Sequence, residues 1–146
     1  MAIKEITPQE AYDLLAREEG VLYIDVRTET EFSAGHPDGA VNIPVALSDP
    51  AQGMALNPAF VRVIQVHYPK DTKIIVGCQA GPRSETAARL LQEAGYQEII
   101  NMRGGFGGLR DASGQVIAPG WAGLGLPSSQ ANGEGVSYAS LAAKTS

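Results

Sequence analysis

Cys78 is the only cysteine in this chain, and it lies where a predicted strand gives way to a predicted helix. The strand is the apolar, β-branched run 73–76, and the helix begins near Pro82, since proline is tolerated at a first helical position. A thiol at such a junction faces the positive end of the helix dipole and unpaired backbone N–H groups. Both favour the thiolate, the reactive form of cysteine. The position predicts a nucleophile; the alternative is a buried structural thiol, since free cysteine is among the most buried residue types.

The residues after Cys78 supply the parts of an anion-binding loop. Gly81 allows a positive φ, which lets successive N–H groups turn toward one point. Arg83 supplies a cation, Ser84 supplies a hydroxyl group, and Pro82 ends the loop rigidly without an N–H donor. Such a group of donors suits a nucleophile that attacks an anionic substrate and then carries charge itself. The predicted substrate-binding residues are Gln79, Ala80, Gly81, Arg83 and Ser84.

Asp25 and Arg27 stand two residues apart at the end of a predicted buried strand. They form either an acid–base or anion-binding pair, or a charge pair that holds the sheet edge to the turn around His36. We favour the structural pair, because a buried charge without a partner is costly and a partner is at hand. His36 is likewise predicted to be a hydrogen-bonded turn residue instead of a base. The glycine-rich run 104–108 matches neither the dinucleotide fingerprint nor the P-loop, and we expect it to pack its backbone beside the cysteine loop.

The elements that must position these residues alternate between strand and helix. Apolar runs predict strands at 3–6, 21–26, 40–44, 73–76 and 98–101. Capping signals and periodicity predict helices at 7–19, 29–34, 57–67 and 82–94, and Thr7 and Asn57 are the expected N-caps of the first and third. Residues 46–56 read as a surface loop. The alternation predicts an α/β fold, a five-stranded parallel sheet with helices on both faces and with ligands bound beyond the carboxyl ends of the strands.

Composition limits what the chain can do. Its 146 residues suffice for one domain with a core, and its net charge of −5 argues against a nucleic-acid partner. No apolar run approaches the ~18 residues of a membrane span, and the N-terminus lacks a signal-peptide core. One cysteine makes no internal disulfide and no multi-cysteine zinc site, so we expect a cytoplasmic protein without metal or cofactor. The Ser-, Ala- and Gly-rich residues 128–146 are predicted to be a flexible tail behind a domain at 1–127.

With these residues in place, the sequence resembles the rhodanese family of sulfurtransferases over residues 3–125. The motifs that carry the resemblance occur in the family's order and spacing. They are Leu22-Tyr23-Ile24-Asp25-Val26-Arg27, Glu31-Phe32, Gly35-His36-Pro37-Asp38-Gly39-Ala40-Val41-Asn42-Ile43-Pro44, Cys78-Gln79-Ala80-Gly81-Pro82-Arg83-Ser84, Gly95-Tyr96 and Gly104-Gly105-Phe106.

The resemblance implies a five-stranded parallel sheet and a persulfide carried on Cys78. It also implies that the loop from Gln79 to Arg83 binds the transferred sulfur and a small anionic donor such as thiosulfate. The acceptor, cyanide, a thiol or a protein, must come from outside, because no second cysteine exists. Two positions depart from the family pattern. Pro82 removes an N–H donor that the family usually keeps, and the turn after His36 reads Pro-Asp where the family usually has Ile-Pro.

Two other functions fit parts of the same pattern. Cysteine phosphatases and arsenate reductases also use a thiolate, a backbone cradle and an arginine. Cysteine phosphatases that resemble this fold place five residues between cysteine and arginine. Here only residues 79–82 separate Cys78 from Arg83, which favours sulfur over phosphate. A non-enzymatic module that docks a partner or senses persulfides is the other alternative, and the presence of both Cys78 and Arg83 argues against it.

Overall fold

The structure, a computed structural model, describes residues 3–49, 53–79 and 82–145. In chain order its strands are β1 (Lys4–Ile6), β2 (Leu22–Asp25), β3 (His36–Pro37), β4 (Val41–Asn42), β5 (Ala46–Asp49), β6 (Gly53–Leu56), β7 (Lys73–Gly77), β8 (Glu98–Met102), β9 (Leu109–Arg110), β10 (Val116–Ala118) and β11 (Ser128–Ser129). Its helices are α1 (Pro8–Arg17), α2 (Glu29–Ala34), α3 (Phe60–His67), α4 (Pro82–Glu93) and α5 (Tyr138–Ala142), and a short 3₁₀ helix follows at Ala143–Thr145.

A parallel sheet of five strands, in the order β1-β8-β7-β2-β4, forms the centre of the molecule. All of its strand pairs are parallel, and β7 lies in the middle with Ile75 between Tyr23 of β2 and Ile100 of β8. The predicted fold class is therefore confirmed. Cys78 follows directly on β7, so the central strand delivers it to the carboxyl edge of the sheet.

Alternate residues of the strands bury into two cores, one on each face of the sheet. Ile24 and Val76 face a core completed by α3 and α4, whereas Tyr23 and Ile75 face one completed by α1 and α2. Because both faces are covered, the central strands are apolar almost throughout, as buried parallel strands require.

Two helices begin with capping boxes. The predicted box of α1 is confirmed: Thr7 accepts from the backbone N–H of Glu10, whose side chain accepts from that of Thr7. α2 has a second box, built from Thr28 and Glu31. The expected start of α3 is wrong by two residues. Asn57 accepts from the N–H of Ala59 and so caps a turn, and the helix begins only at Phe60.

Residues 46–56, predicted to be a loop, contain an antiparallel hairpin instead. β5 and β6 pair from Ala46 opposite Leu56 to Asp49 opposite Gly53. The alternating apolar pattern that marks a strand is weak here, because most of β6 is exposed to solvent.

The segment after residue 127, predicted to be a flexible tail, contacts the rest of the molecule through β11 and α5. β11 pairs antiparallel with β3, and α5 buries Leu141 in the same core as α3. Its Ser, Ala and Gly content suggested mobility, but Tyr138 and Leu141 supply enough apolar surface to hold the helix down. A domain boundary at 127/128 stays a prediction.

Candidate active site

Cys78 lies between the end of β7 and the start of α4, and the residue is 1% exposed. Its Sγ is 3.6 Å from the Oγ of Ser84, within hydrogen-bonding distance for sulfur. Ser84 belongs to the first turn of α4 and is fully buried. In this contact the thiol of Cys78 donates to the hydroxyl oxygen of Ser84. The structure thus brings Cys78 and Ser84 together, as expected for residues of one site.

Two residues of the predicted loop, Ala80 and Gly81, lie outside the described residues. The expected positive φ of Gly81 and the expected donation by these two amides therefore remain predictions. Pro82 is the first residue of α4, as the sequence indicates.

Arg83 does not stand free beside the cysteine. Its two terminal nitrogens donate to the two carboxylate oxygens of Glu31, at 2.7 and 2.9 Å. The hydrogen bonds from Arg83 lower the pKa of Glu31 to about 2, and the same pairing raises the pKa of Arg83. Sequence reasoning missed Glu31 as a partner. The spacing of Thr28 and Glu31 indicates a capping box, which predicts the position of the Glu31 carboxylate at the start of α2. It does not predict a partner 52 residues away.

Gln79, predicted to bind substrate, turns its side chain toward the sheet edge. Its Oε1 accepts from Arg27 at 3.1 Å, and its backbone carbonyl accepts from the N–H of Gly107 at 2.9 Å. Its side-chain oxygen is therefore engaged with protein groups.

Asp25 and Arg27 form a buried ion pair, with Arg27 Nη2 2.8 Å from Asp25 Oδ2. Arg27 also donates to the carbonyl of Gly35 at 2.7 Å and lies 4.6 Å from the centre of the Phe106 ring. One guanidinium thus joins the end of β2, the turn before His36 and the cysteine loop. This is the geometry of the charge pair that the sequence favoured, and we propose that its role is structural.

His36 is buried, and both of its ring nitrogens face backbone carbonyls. Nδ1 is 2.9 Å from the oxygen of Pro37, and Nε2 is 2.7 Å from that of Ala131. The ring stacks on Phe32 at 3.7 Å. These contacts join the turn to the C-terminal segment, and the structural role of His36 stays a prediction.

The glycine run 104–108 packs its backbone against the cysteine loop. The carbonyl of Cys78 accepts from the N–H of Phe106 at 2.7 Å. Gly105 has φ +61°, and a Cβ there would overlap this same carbonyl, so only glycine fits. The run therefore fixes the direction of the peptide that leaves Cys78.

In the described part of the chain, no three His, Cys, Asp or Glu side chains come together as a metal site would require. Nor does any described helix combine the length and the apolar character needed to cross a membrane.

Comparison with known proteins settles the family. The model of the rhodanese-like domain matches residues 7–112, well over half of the chain. The chain belongs to the rhodanese-like family. This rhodanese-like chain is 43% identical over 96 residues to thiosulfate sulfurtransferase 16, chloroplastic, of Arabidopsis thaliana, a match that covers 66% of this chain and 78% of the relative.

A bacterial relative and a solved structure agree. Thiosulfate sulfurtransferase GlpE of Haemophilus influenzae is 32% identical over 108 residues, which cover 74% of this chain and 89% of GlpE. The crystal structure of Rv0390 from M. tuberculosis superposes with a TM-score of 0.75 at 32% identity, covering 90% of this chain and all of that one. Among plant relatives, the match spans only about half of some proteins, 47% of the length in two of them.

Within this rhodanese-like site, the described side chains offer one nucleophile, a hydroxyl beside it, and two arginines that are each paired with a carboxylate. Such a site can support nucleophilic attack by a cysteine.

Proposed function

We propose that the protein is a sulfurtransferase that moves a sulfane sulfur from a donor such as thiosulfate to a thiophilic acceptor through a persulfide on Cys78. The observation that carries the proposal is the contact between the sulfur of Cys78 and the hydroxyl of Ser84 at the carboxyl end of the central strand. Relatives named as thiosulfate sulfurtransferases support the same reaction class.

In the first step, the Cys78 thiolate attacks the outer sulfur of the donor. A bond forms between the two sulfurs, and the donor's own bond to that sulfur breaks. The leaving group departs with the electron pair, as sulfite when the donor is thiosulfate. The negative charge that Cys78 brought now rests on the outer sulfur of the persulfide, where the hydroxyl of Ser84 and loop amides, including those of Ala80 and Gly81, are proposed to stabilise it.

In the second step, an external acceptor attacks the outer sulfur and returns Cys78 to the thiolate. The acceptor is cyanide, a small thiol or a protein thiol, because the chain has no second cysteine to take the sulfur. The proposed activity is of the thiosulfate:cyanide type and needs no cofactor, nucleic acid or membrane. A cytoplasmic location stays a prediction.

The test is thiocyanate formation from thiosulfate and cyanide by the full chain and by Cys78→Ser. We expect the variant to lose activity by about 10³-fold or more, because a serine hydroxyl is neither ionised nor able to carry a persulfide. A Ser113→Ala variant, in an exposed turn, serves as the control and is expected to retain full activity. Full activity in Cys78→Ser would refute the assignment. If the full chain hydrolysed an aryl phosphate and formed no thiocyanate, that result would indicate the phosphatase alternative.

A further inference from the structure

The cation of the cysteine loop is neutralised by an acid from another helix. Arg83 and Glu31 are paired through two short hydrogen bonds, and their side chains are 27% and 32% exposed. A fork of this kind uses the two terminal nitrogens that would otherwise clamp an anionic donor. Because both side chains are partly exposed to solvent, the net charge of the pair can attract or repel an approaching substrate.

The other charges around the loop are balanced as well. Arg27 is compensated by Asp25, and both are buried. Arg103 shares a cleft of about 160 Å³ with Glu5 and Glu85, so carboxylates outnumber the cation there. The whole chain carries a net charge of −5. For a dianion approaching Cys78, the described side chains provide no net positive charge to attract it.

This balance distinguishes between two kinds of sulfur donor. Thiosulfate carries two negative charges and releases a dianion, whereas an alkyl persulfide carries one negative charge or, when protonated, none, and releases a thiolate. We infer that Glu31 is a specificity-determining residue, which cancels the charge of Arg83 and thereby makes the site favour an alkyl persulfide over thiosulfate. The inference rests on the proposed function, since it concerns the donor of the same first step.

The step balances for such a donor. The Cys78 thiolate bonds to the outer sulfur of R–S–SH, the bond between the donor's two sulfurs breaks, and R–S⁻ leaves with that electron pair. The proton stays on the transferred sulfur, and no oxidant or reductant is needed. Glu31 touches neither reactant in this scheme and acts through Arg83, so it is a positioning residue.

The test compares two donors, thiosulfate and 2-hydroxyethyl persulfide, in thiocyanate formation by the full chain and by Glu31→Gln. Glutamine keeps an oxygen to accept from the N–H of Thr28, so the cap of α2 is retained while the charge on Arg83 is freed. We expect kcat/KM for thiosulfate to rise roughly tenfold, through KM, and kcat/KM for the persulfide to stay within about twofold. Rates are corrected with Cys78→Ser, because cyanide attacks persulfides without an enzyme.

Glu29→Gln is the matched control, since Glu29 is an exposed acid in the same first turn of α2. It removes the same charge, and we expect both donors to be unaffected within about twofold. Glu31→Asp, which keeps the charge, is expected to keep the native donor ratio. An unchanged donor ratio in Glu31→Gln would overturn the inference, and so would an equal shift in Glu29→Gln.

A measurement on the native chain covers the case in which Glu31→Gln does not fold. Raising salt from about 0.05 to 0.5 M is expected to leave kcat/KM for thiosulfate unchanged or to raise it, because only the net negative protein is screened. A several-fold fall would show that an uncompensated cation attracts the donor, and the inference would fail. If neither donor gives thiocyanate above the Cys78→Ser background, the proposed function itself is wrong.

Discussion

The ion pairs Asp25–Arg27 and Glu31–Arg83 use the same chemistry in different surroundings. The side chains of the first are 2% and 3% exposed, and those of the second are 32% and 27% exposed. The first joins residues at the end of one strand, whereas the second joins α2 to α4 across 52 residues of sequence. Burial makes the first pair expensive to break, and partial exposure lets the second respond to solvent and substrate. One pair therefore maintains the fold, and the other sets the charge of the site.

The largest effect is expected from breaking the buried pair with Asp25→Asn. Arg27 would keep its charge with no anion beside it, and the free energy of unfolding should fall by about 3–5 kcal/mol. Urea unfolding followed by circular dichroism measures this loss. Asp38→Asn, in an exposed turn, is the control and should change stability by less than about 0.5 kcal/mol. A loss below about 1 kcal/mol for Asp25→Asn would mean that the two pairs do not differ as proposed.

A smaller, pH-dependent effect is expected at the exposed pair. The pKa of Glu31 is lowered from 4.5 to about 2, so its folded form holds the proton less tightly than its unfolded form. The pair therefore stabilises fully above the ordinary pKa and loses its contribution as pH falls toward about 2. Glu31→Gln should cost on the order of 1 kcal/mol at pH 7, since the pair is partly screened by solvent.

The difference in stability between native protein and Glu31→Gln should shrink steadily from pH 5 to about pH 2. Urea unfolding at several pH values measures it, with Glu29→Gln as the reference for a generic acid in the same turn. A difference that grew as the pH fell would have the wrong sign for this pair.

The smallest effect on stability is expected from the link between the buried pair and the cysteine loop. Gln79→Ala removes the acceptor of the hydrogen bond from Arg27, and because Gln79 is exposed the cost should be about 0.5–1 kcal/mol. Gln79→Ala should lose a larger fraction of the sulfur-transfer rate than of the free energy of unfolding, because Gln79 belongs to the loop that carries Cys78. Thermal unfolding and thiocyanate formation, measured on one preparation, test this. A loss of stability as large as that of Asp25→Asn would show that the hydrogen bond from Arg27 to Gln79 is as important to the fold as the buried ion pair.

The two pairs also show how far the sequence could be interpreted. Asp25 ends β2 and Arg27 follows it by two residues, so the two partners are close in sequence and their pairing could be predicted locally. The place of Cys78 follows equally locally, from an apolar strand, a break and a proline-initiated helix. Glu31 and Arg83 lie 52 residues apart, and no local rule joins them. The expectation that Arg83 supplies a cation to the loop did not include this partner.

Non-local contacts explain the other differences. The hairpin of β5 and β6 forms without an apolar pattern, so only the pairing itself identifies it. α5 is held by Leu141 in a core built from residues far earlier in the chain. The composition of residues 128–146 suggested mobility, because the average over a segment rich in Ser, Ala and Gly hides the few large apolar side chains that bury.

The most direct test of the account is mass spectrometry of the full chain after incubation with thiosulfate or 2-hydroxyethyl persulfide, under conditions that preserve persulfides. We expect one added sulfur, located on the peptide that contains Cys78, absent from Cys78→Ser and removed by cyanide. A Cys78 peptide that gains no sulfur from either donor would contradict it.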